Sequence, residues 1–224
     1  VSNLGTFANA GYKFNENQIL SLHARNDLHK ITDENQTYKI NFTQFLDKFR
    51  LSMTHSTGLK NPGLYEFFGS SNYHTGNESV DPSKSKTNEL YGEYNYSDNI
   101  SFNSTAYRTK ISNRISGSTN LTGDTNQEGL ESELNFGGKD QNISFVSHFA
   151  KSRTTTGGPN SRRPDLSYGV DYSKKINLPE YGPFNLNLSH RYIGDHIDWT
   201  GSKNAFVKSV DLVEMSIRKD WFGN

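Results

Sequence analysis

From Phe184 to Tyr192 the chain alternates. Phe184, Leu186, Leu188 and Tyr192 fall on one side of an extended strand, and Asn185, Asn187, Ser189 and Arg191 fall on the other. The same period runs through Leu166, Tyr168, Val170, Tyr172 and Ile176 against Ser167, Asp171, Ser173 and Lys175. It recurs in Leu130, Leu134 and Phe136 against Glu131, Glu133 and Asn135, and in Phe49, Leu51 and Met53 against Arg50, Ser52 and Thr54. Tyr38, Ile40 and Phe42 alternate likewise with Lys39, Asn41 and Thr43. A side-chain period of two belongs to a β-strand, so each segment carries one apolar face and one wet face. No segment long enough for a major helix shows a period of 3.6. The chain must therefore build a sheet whose two faces meet different surroundings.

Composition sharpens that constraint. Only 32% of the 224 residues are hydrophobic, which is little apolar surface to offset the chain entropy of a soluble domain this size. Aromatic residues nevertheless reach 12%, with 14 Phe and 12 Tyr, whereas disordered chains are poor in them. A sheet with one apolar and one polar face reconciles the two numbers.

The pattern predicts strands near 3–14, 18–28, 36–44, 49–57, 86–97, 100–110, 127–137, 142–152, 164–176, 184–194 and 206–219. The prolines at 62, 82, 159, 164, 179 and 183 fall in connections or at a strand's first residue, where the missing N–H costs no ladder bond. Connections at 15–17, 45–48, 98–99, 138–141 and 177–183 are short. Those at 29–35, 58–85, 111–126, 153–163 and 195–205 are mostly longer, and the two kinds alternate along the chain. In an up-and-down sheet every second connection lies at the same end, so one end is trimmed and the other elaborated. Strands of about 11 residues, at about 3.3 Å each and tilted about 40°, stand roughly 28 Å tall, the height of an outer-membrane hydrocarbon band. These features describe an all-β, antiparallel transmembrane β-barrel. A large soluble β-sandwich or lectin-like repeat is the alternative on the pattern alone.

Other classes are excluded or unsupported. Lys plus Arg and Asp plus Glu both number 24, so no bulk positive charge is available to hold nucleic acid. No apolar run approaches the roughly 18 residues of a membrane helix. The absence of cysteine removes disulfides, thiolate zinc sites and thiol nucleophiles together. Val1 stands where a complete chain would carry Met, and the chain stops at Trp221-Phe222-Gly223-Asn224, so a piece of a larger protein is expected.

One stretch is more specific than the pattern. Residues 54–69 run Thr-His-Ser-Thr-Gly-Leu-Lys-Asn-Pro-Gly-Leu-Tyr-Glu-Phe-Phe-Gly. Gly76-Asn77 follow in a polar loop, then Val80-Asp81-Pro82-Ser83-Lys84-Ser85-Lys86-Thr87-Asn88-Glu89-Leu90. This resembles the barrel signature of TonB-dependent outer-membrane receptors, with Gly58, Lys60, Pro62, Leu64, Tyr65, Glu66, Asn77, Pro82, Ser85, Glu89, Leu90 and Gly92 matching. Leu59 stands where Phe is usual, Gly63 where Ser or Thr is common, and Ser83 where the family prefers Glu. Gly5 to Tyr12 is similar to an earlier strand of such barrels, and His190 to Asp195 with Val210-Asp211-Leu212 to late ones. The resemblance implies about 11 strands of an expected 22-stranded barrel, roughly the tenth to the twentieth, with residues 1–224 forming a single partial barrel domain. The plug, its TonB-contacting segment and the terminal strands would lie outside it. On the residues themselves, Asn61 to Phe68 can form a short helical turn, with Pro62 at a tolerated first-turn position, folding over the barrel mouth.

The remaining signals are weaker. Histidines 23, 29, 55, 74, 148, 190 and 196 show no metal-ligand spacing and read as polar lumen-lining residues. Gly157-Gly158 with Arg162-Arg163 lacks the ending of a phosphate loop. Arg162 and Arg163 offer contacts to an anionic ligand or to lipopolysaccharide phosphate, set against a plain solvated loop pair. Tyr73 and His74 offer ring surfaces for ligand stacking, set against a floppy polar loop. Glu131, Glu133, Asp165 and Asp171 form no recognisable acid–base pair by spacing, and the Asn-x-Ser/Thr triplets are those an Asn-rich chain contains by chance.

The resemblance thus implies a non-enzymatic receptor for a scarce nutrient such as a siderophore or cobalamin, driven by TonB through the plug. Its expected partners are outer-membrane lipid and lipopolysaccharide, TonB and an extracellular ligand, with no nucleic acid and no cofactor. No catalytic, cofactor or metal residue is expected, and ligand-contacting residues are not assigned. A passive porin-like or adhesin-like barrel is the rival reading, and a soluble β protein or barrel enzyme the other.

Overall fold

The computed structural model describes residues 3–29, 33–70, 74–154, 156–199 and 203–219. Eleven long strands form one antiparallel sheet in strict chain order: β1 (Asn3–Asn15), β2 (Gln18–His29), β3 (Asp33–Leu46), β4 (Phe49–Lys60), β5 (Ser83–Ser97), β6 (Ile100–Ser112), β7 (Thr125–Gly137), β8 (Gln141–Arg153), β9 (Leu166–Leu178), β10 (Gly182–Ile193) and β11 (Val210–Lys219). Each neighbouring pair is antiparallel, and among the described residues β1 and β11 are paired on one side only, so the sheet is a barrel wall that does not close on itself.

Register aligns the alternating patterns into continuous rows. Leu20, Phe42, Met53, Leu90, Ala106, Leu130, Phe149 and Leu166 follow one another across successive strands, so all lie on one face. On the opposite face Arg50, Glu93, Asn103, Glu133, Val146, Gly169 and Arg191 form a row of their own. Phe7, Ile19, Phe45 and Leu212 also sit on this second face, which is polar without being purely so.

No interior core lies between two layers. Among the described residues the buried apolar side chains are Phe67, Val80, Pro62 and Pro82, all in one long connection, while Met53, Leu90, Leu130, Phe149 and Met215 stand exposed on the apolar face. A water-soluble sandwich would bury that face against a second sheet. A lipid-facing wall leaves it bare. Aromatic rings gather at the short-turn end of the apolar face, where Phe49 stacks on Tyr94 at 4.4 Å and Lys48 lies 5.4 Å over Tyr96. Tyr168 and Tyr192 stack at 4.8 Å toward the other end. Between the two groups runs a line of small residues, Gly92, Ser104, Ser132 and Ser147, in which the Ser104 and Ser132 hydroxyls bond at 2.8 Å. That pairing satisfies polar groups that lipid would not.

All eleven predicted strands are present, with differences at their ends. β2 and β3 continue in register through Leu28↔Glu34 and His29↔Asp33, so the predicted 29–35 connection shrinks to residues 30–32, which lie outside the described residues. Pairing outlasts the apolar pattern because strands leave the hydrocarbon band before they stop hydrogen bonding. The predicted 206–219 strand divides: Asn204–Val207 pairs with His196–Trp199, and β11 begins at Val210. Asp195 Oδ1 accepts the Ser209 N–H at 2.5 Å, at the point where the chain changes partners. Pro183 is the second residue of β10 and, among the described residues, pairs with Asn177 alone. That place near the strand's start is one a proline tolerates.

Candidate functional site

The polar face and the long connections at one rim are the surfaces this wall offers to a ligand. The connections after β1, β3, β5, β7 and β9 are short turns, and Asp47, at a φ of 45°, lies in the one after β3. Those after β4, β6, β8 and β10 are long and carry structure of their own.

The signature stretch builds the largest of these. Gly58 pairs directly with Ser85, and a Cβ there would stand 2.6 Å from the Ser85 hydroxyl, so two signature positions require one another. Helix α1 (Leu64–Phe68) follows, with Pro62 buried before it. The Glu66 carboxylate accepts the Gly63 N–H at 2.9 Å, occupying one of the unpaired donors at the helix start. Phe67 turns inward, and the Asn77 N–H bonds to the Glu66 carbonyl at 2.9 Å. The next connection packs against this one. His74 stacks on Tyr65 at 4.2 Å and 8°, and its Nε2 shares a hydrogen with the Ser118 hydroxyl at 2.5 Å. Asn120 donates to the Asp81 carbonyl and accepts from the Asp81 N–H, both at 2.8 Å. The connection is thus a folded cap rather than a floppy loop, and His74 is held inside it; Tyr73 lies outside the described residues.

Below that rim the polar face carries linked charges. Arg50 meets Glu93 at 2.6 Å and donates to the Tyr91 hydroxyl at 3.0 Å. Asp171 accepts both of its hydrogen bonds from Arg191, at 2.7 and 2.9 Å. Glu133 accepts from Asn103 and Ser144. The Tyr107 hydroxyl reaches across β7 to His148 Nε2 at 3.2 Å, and Glu131 stands 3.3 Å from the same nitrogen. A concavity of about 600 Å³ is lined on this face by Asn103, Thr105, Glu131, Glu133, His148 and Arg191. A second, of about 320 Å³, lies nearer the rim between Tyr107, His148 and Arg163. Among the described residues no three His, Cys, Asp or Glu side chains converge on a metal position.

The sequence-flagged residues are distributed across these surfaces. Arg162 is not a spare cation: it meets Asp198 at 2.6 Å and donates its backbone N–H to the Ile197 carbonyl, fastening its connection to the 196–207 hairpin. The ion pair holds its guanidinium pKa above the ordinary value. Arg163 borders the rim concavity. Glu131, Glu133 and Asp171 do share the polar face, while Asp165 pairs with Arg153 at 3.1 Å. The expectation that histidines line the lumen holds for His23 and His148 but not for His55 and His190, which lie on the apolar face. There they bond to Asn88 at 2.8 Å and to Asp211 at 2.8 Å, near the tyrosines of the long-loop end, where an amphipathic ring suits the membrane boundary. Gly129 and Gly169 were not legible as site residues. A glycine inside an alternating strand, where a neighbour's side chain must cross, was the available signal.

An apolar outer face, a polar inner face, short turns at one end and a folded cap at the other define a segment of transmembrane β-barrel. Residues 1–221 match the family model described as TonB dependent receptor-like, beta-barrel, and the chain belongs to that family. No curated protein sequence matches it. Among solved structures, the ferric yersiniabactin uptake receptor FyuA from Yersinia pestis superposes with a TM-score of 0.82 at 13% identity, over 96% of this chain and 37% of that one. The siderophore receptor PirA from Acinetobacter baumannii gives 0.82 at 16% identity, over 96% and 39%. The ferric enterobactin receptor PfeA from Pseudomonas aeruginosa gives 0.78 at 17%, over 95% and 36%. At these identities the likeness concerns the fold, and the chain spans well under half the length of each.

Proposed function

We propose that this chain is part of the wall of a Gram-negative outer-membrane receptor that takes up a scarce nutrient complex, with a ferric siderophore as the favoured class. Family membership over residues 1–221 supports the reading most directly. FyuA, PirA and PfeA, which share the fold, are receptors for siderophores or their ferric complexes. In this reading the apolar face meets lipid, the polar face surrounds a plug domain encoded outside the chain, and the folded cap of 61–82 and 113–124 faces the medium. The partners are the extracellular ligand, TonB acting through the plug, and outer-membrane lipid. The wall's own contribution is binding and enclosure, with no bond made or broken.

The test starts with the intact gene. A preceding plug of about 120–150 residues and further barrel strands are expected. Cells carrying the complete receptor should accumulate a labelled ferric siderophore under iron limitation, and should stop when TonB is deleted or the proton gradient is collapsed. Accumulation that survives both treatments would instead mark a passive channel.

A further inference from the structure

The apolar rows end, toward the long-loop rim, in a group of cations. On β5 the outward positions continue from Leu90 through Asn88 to Lys86 and Lys84, and on β6 from Ala106 to Arg108 and Lys110. The register sets Lys86 directly opposite Lys110, with Arg108 opposite Asn88 and Lys84 opposite Ser112. On β8, Lys151 and Arg153 continue the outward row above Phe149, Lys151 lying 5.6 Å over that ring.

Two of these cations have carboxylate partners within the group. Asp124 pairs with Lys110 at 2.7 Å, Asp165 with Arg153, and Glu34 accepts from Asn26 at 2.7 Å. Glu128 lies opposite both Arg108 and Lys151 without reaching ion-pair distance of either. Among the described residues, Lys84, Lys86 and Arg108 meet no carboxylate within 4 Å. Like charges set opposite each other on adjacent strands repel. A sheet that gathers them at one level of its outward face leaves an attraction for anions that the protein itself does not fill.

The same level holds a concavity of about 710 Å³, spanning β3 to β6, with Lys84, Lys86 and Lys110 on its wall beside Tyr38 and Leu59, and with Glu34 and the Lys110-paired Asp124 as its carboxylates. Cations above, an aromatic and a leucine beside them, and bare apolar rows below match a molecule with a phosphorylated head and acyl chains. We propose that this surface binds the phosphorylated headgroup of an outer-leaflet glycolipid, with Lys84, Lys86 and Arg108 as its phosphate contacts. The surface differs from the Arg162–Arg163 pair that the sequence pointed to. It rests on the reading above that the apolar face meets lipid, with the long connections outside.

The test uses the complete receptor purified in detergent and exchanged into vesicles with or without a bis-phosphorylated lipid A. Binding is read by native mass spectrometry and by quenching of a labelled lipid A. Replacing Lys84, Lys86 and Arg108 together by glutamine is expected to weaken lipid A binding about a hundredfold, at about fivefold per cation removed. Arg108→Gln alone should give the single-site step. Lys39→Gln, on the polar face, should leave binding unchanged. Equal loss with Lys39→Gln, undiminished binding by the triple variant, or complete displacement of lipid A by millimolar inorganic phosphate would each overturn the proposal. If instead the unaltered receptor fails to enter vesicles at all, the membrane reading itself fails with it. Heat-modifiable migration on gels confirms that each variant has folded.

Discussion

The ring of Tyr107 lies across Gly129 of the neighbouring strand: a Cβ at Gly129 would stand 2.6 Å from the Tyr107 hydroxyl oxygen and 2.7 Å from Cζ. Arg191 lies in the same way across Gly169, where a Cβ would meet Nη1 at 2.5 Å and Cδ at 2.8 Å. Both glycines are on the polar face, and both let a long side chain cross a strand to reach a partner beyond it or beside it. Tyr107 thereby reaches His148 two strands away.

Gly129→Ala should therefore destabilise the wall by about 1–3 kcal/mol, the usual cost of overpacking a close contact. The new methyl also meets the Phe149 carbonyl at 2.7 Å, so Tyr107→Ala in the same chain should recover only part of the loss. Denaturant unfolding of the two single variants and the double variant, in a detergent-solubilised receptor, measures this directly.

The two faces should respond oppositely to charge. Leu134 sits on the apolar face between Phe102 and Phe145, while Asn135 beside it lies on the polar face between Ser101 and Ser144. Leu134 shares a row with Tyr94 and Phe49 near the short-turn boundary, so Leu134→Arg is expected to cost about 1 kcal/mol in a bilayer. Asn135→Arg should cost well under half of that. Similar costs in refolding titrations into vesicles would mean the faces are assigned wrongly.

Arg191 Nη2 donates to both carboxylate oxygens of Asp171, but both side chains remain over 40% exposed on the polar face. In the isolated wall a double-mutant cycle with Asp171→Asn and Arg191→Met should give a coupling of about 1 kcal/mol or less, shrinking as salt is added. A much larger coupling in the complete receptor would show that the pair is covered there.

Glu66→Ala removes the acceptor for the Gly63 N–H, and should loosen α1 by about 1 kcal/mol without moving the global unfolding midpoint. Hydrogen exchange across 64–68 should quicken while β4 and β5 stay protected.

His74→Ala removes the stack on Tyr65, which braces the 61–82 connection internally, and the bond to Ser118, by which that connection grips the 113–124 connection. Protease nicking within these two connections should increase several-fold, with the strands untouched. Unchanged nicking would place the strength of the cap in the Asn120–Asp81 contacts instead.

What was readable in the residues was whatever depends on neighbours along the chain. Alternation from Phe184 to Tyr192 determined a strand and its two faces, because the side-chain period of an extended backbone is a local property. Proline positions and the alternation of short and long connections determined an up-and-down order. A short helical turn within 61–68 was anticipated from Pro62 and the apolar positions Leu64, Phe67 and Phe68, which are near neighbours in sequence, although α1 starts after Gly63 and leaves Pro62 outside its first turn.

Register is not local, and what depends on it was settled only in three dimensions. His55 and His190 fall on the apolar face because of parity counted from their strand neighbours, while their polarity alone suggested the lumen. Strand ends overran the apolar pattern because hydrogen bonding continues past the membrane boundary at which burial in lipid stops selecting side chains. The contacts that give the wall its detail, Tyr107 over Gly129, Lys86 beside Lys110 and Asn120 on Asp81, join residues 22 to 39 positions apart. Pair energies of that kind depend on which strands become neighbours and at what offset, and the one-dimensional pattern of polar and apolar residues carries the strand but not the offset.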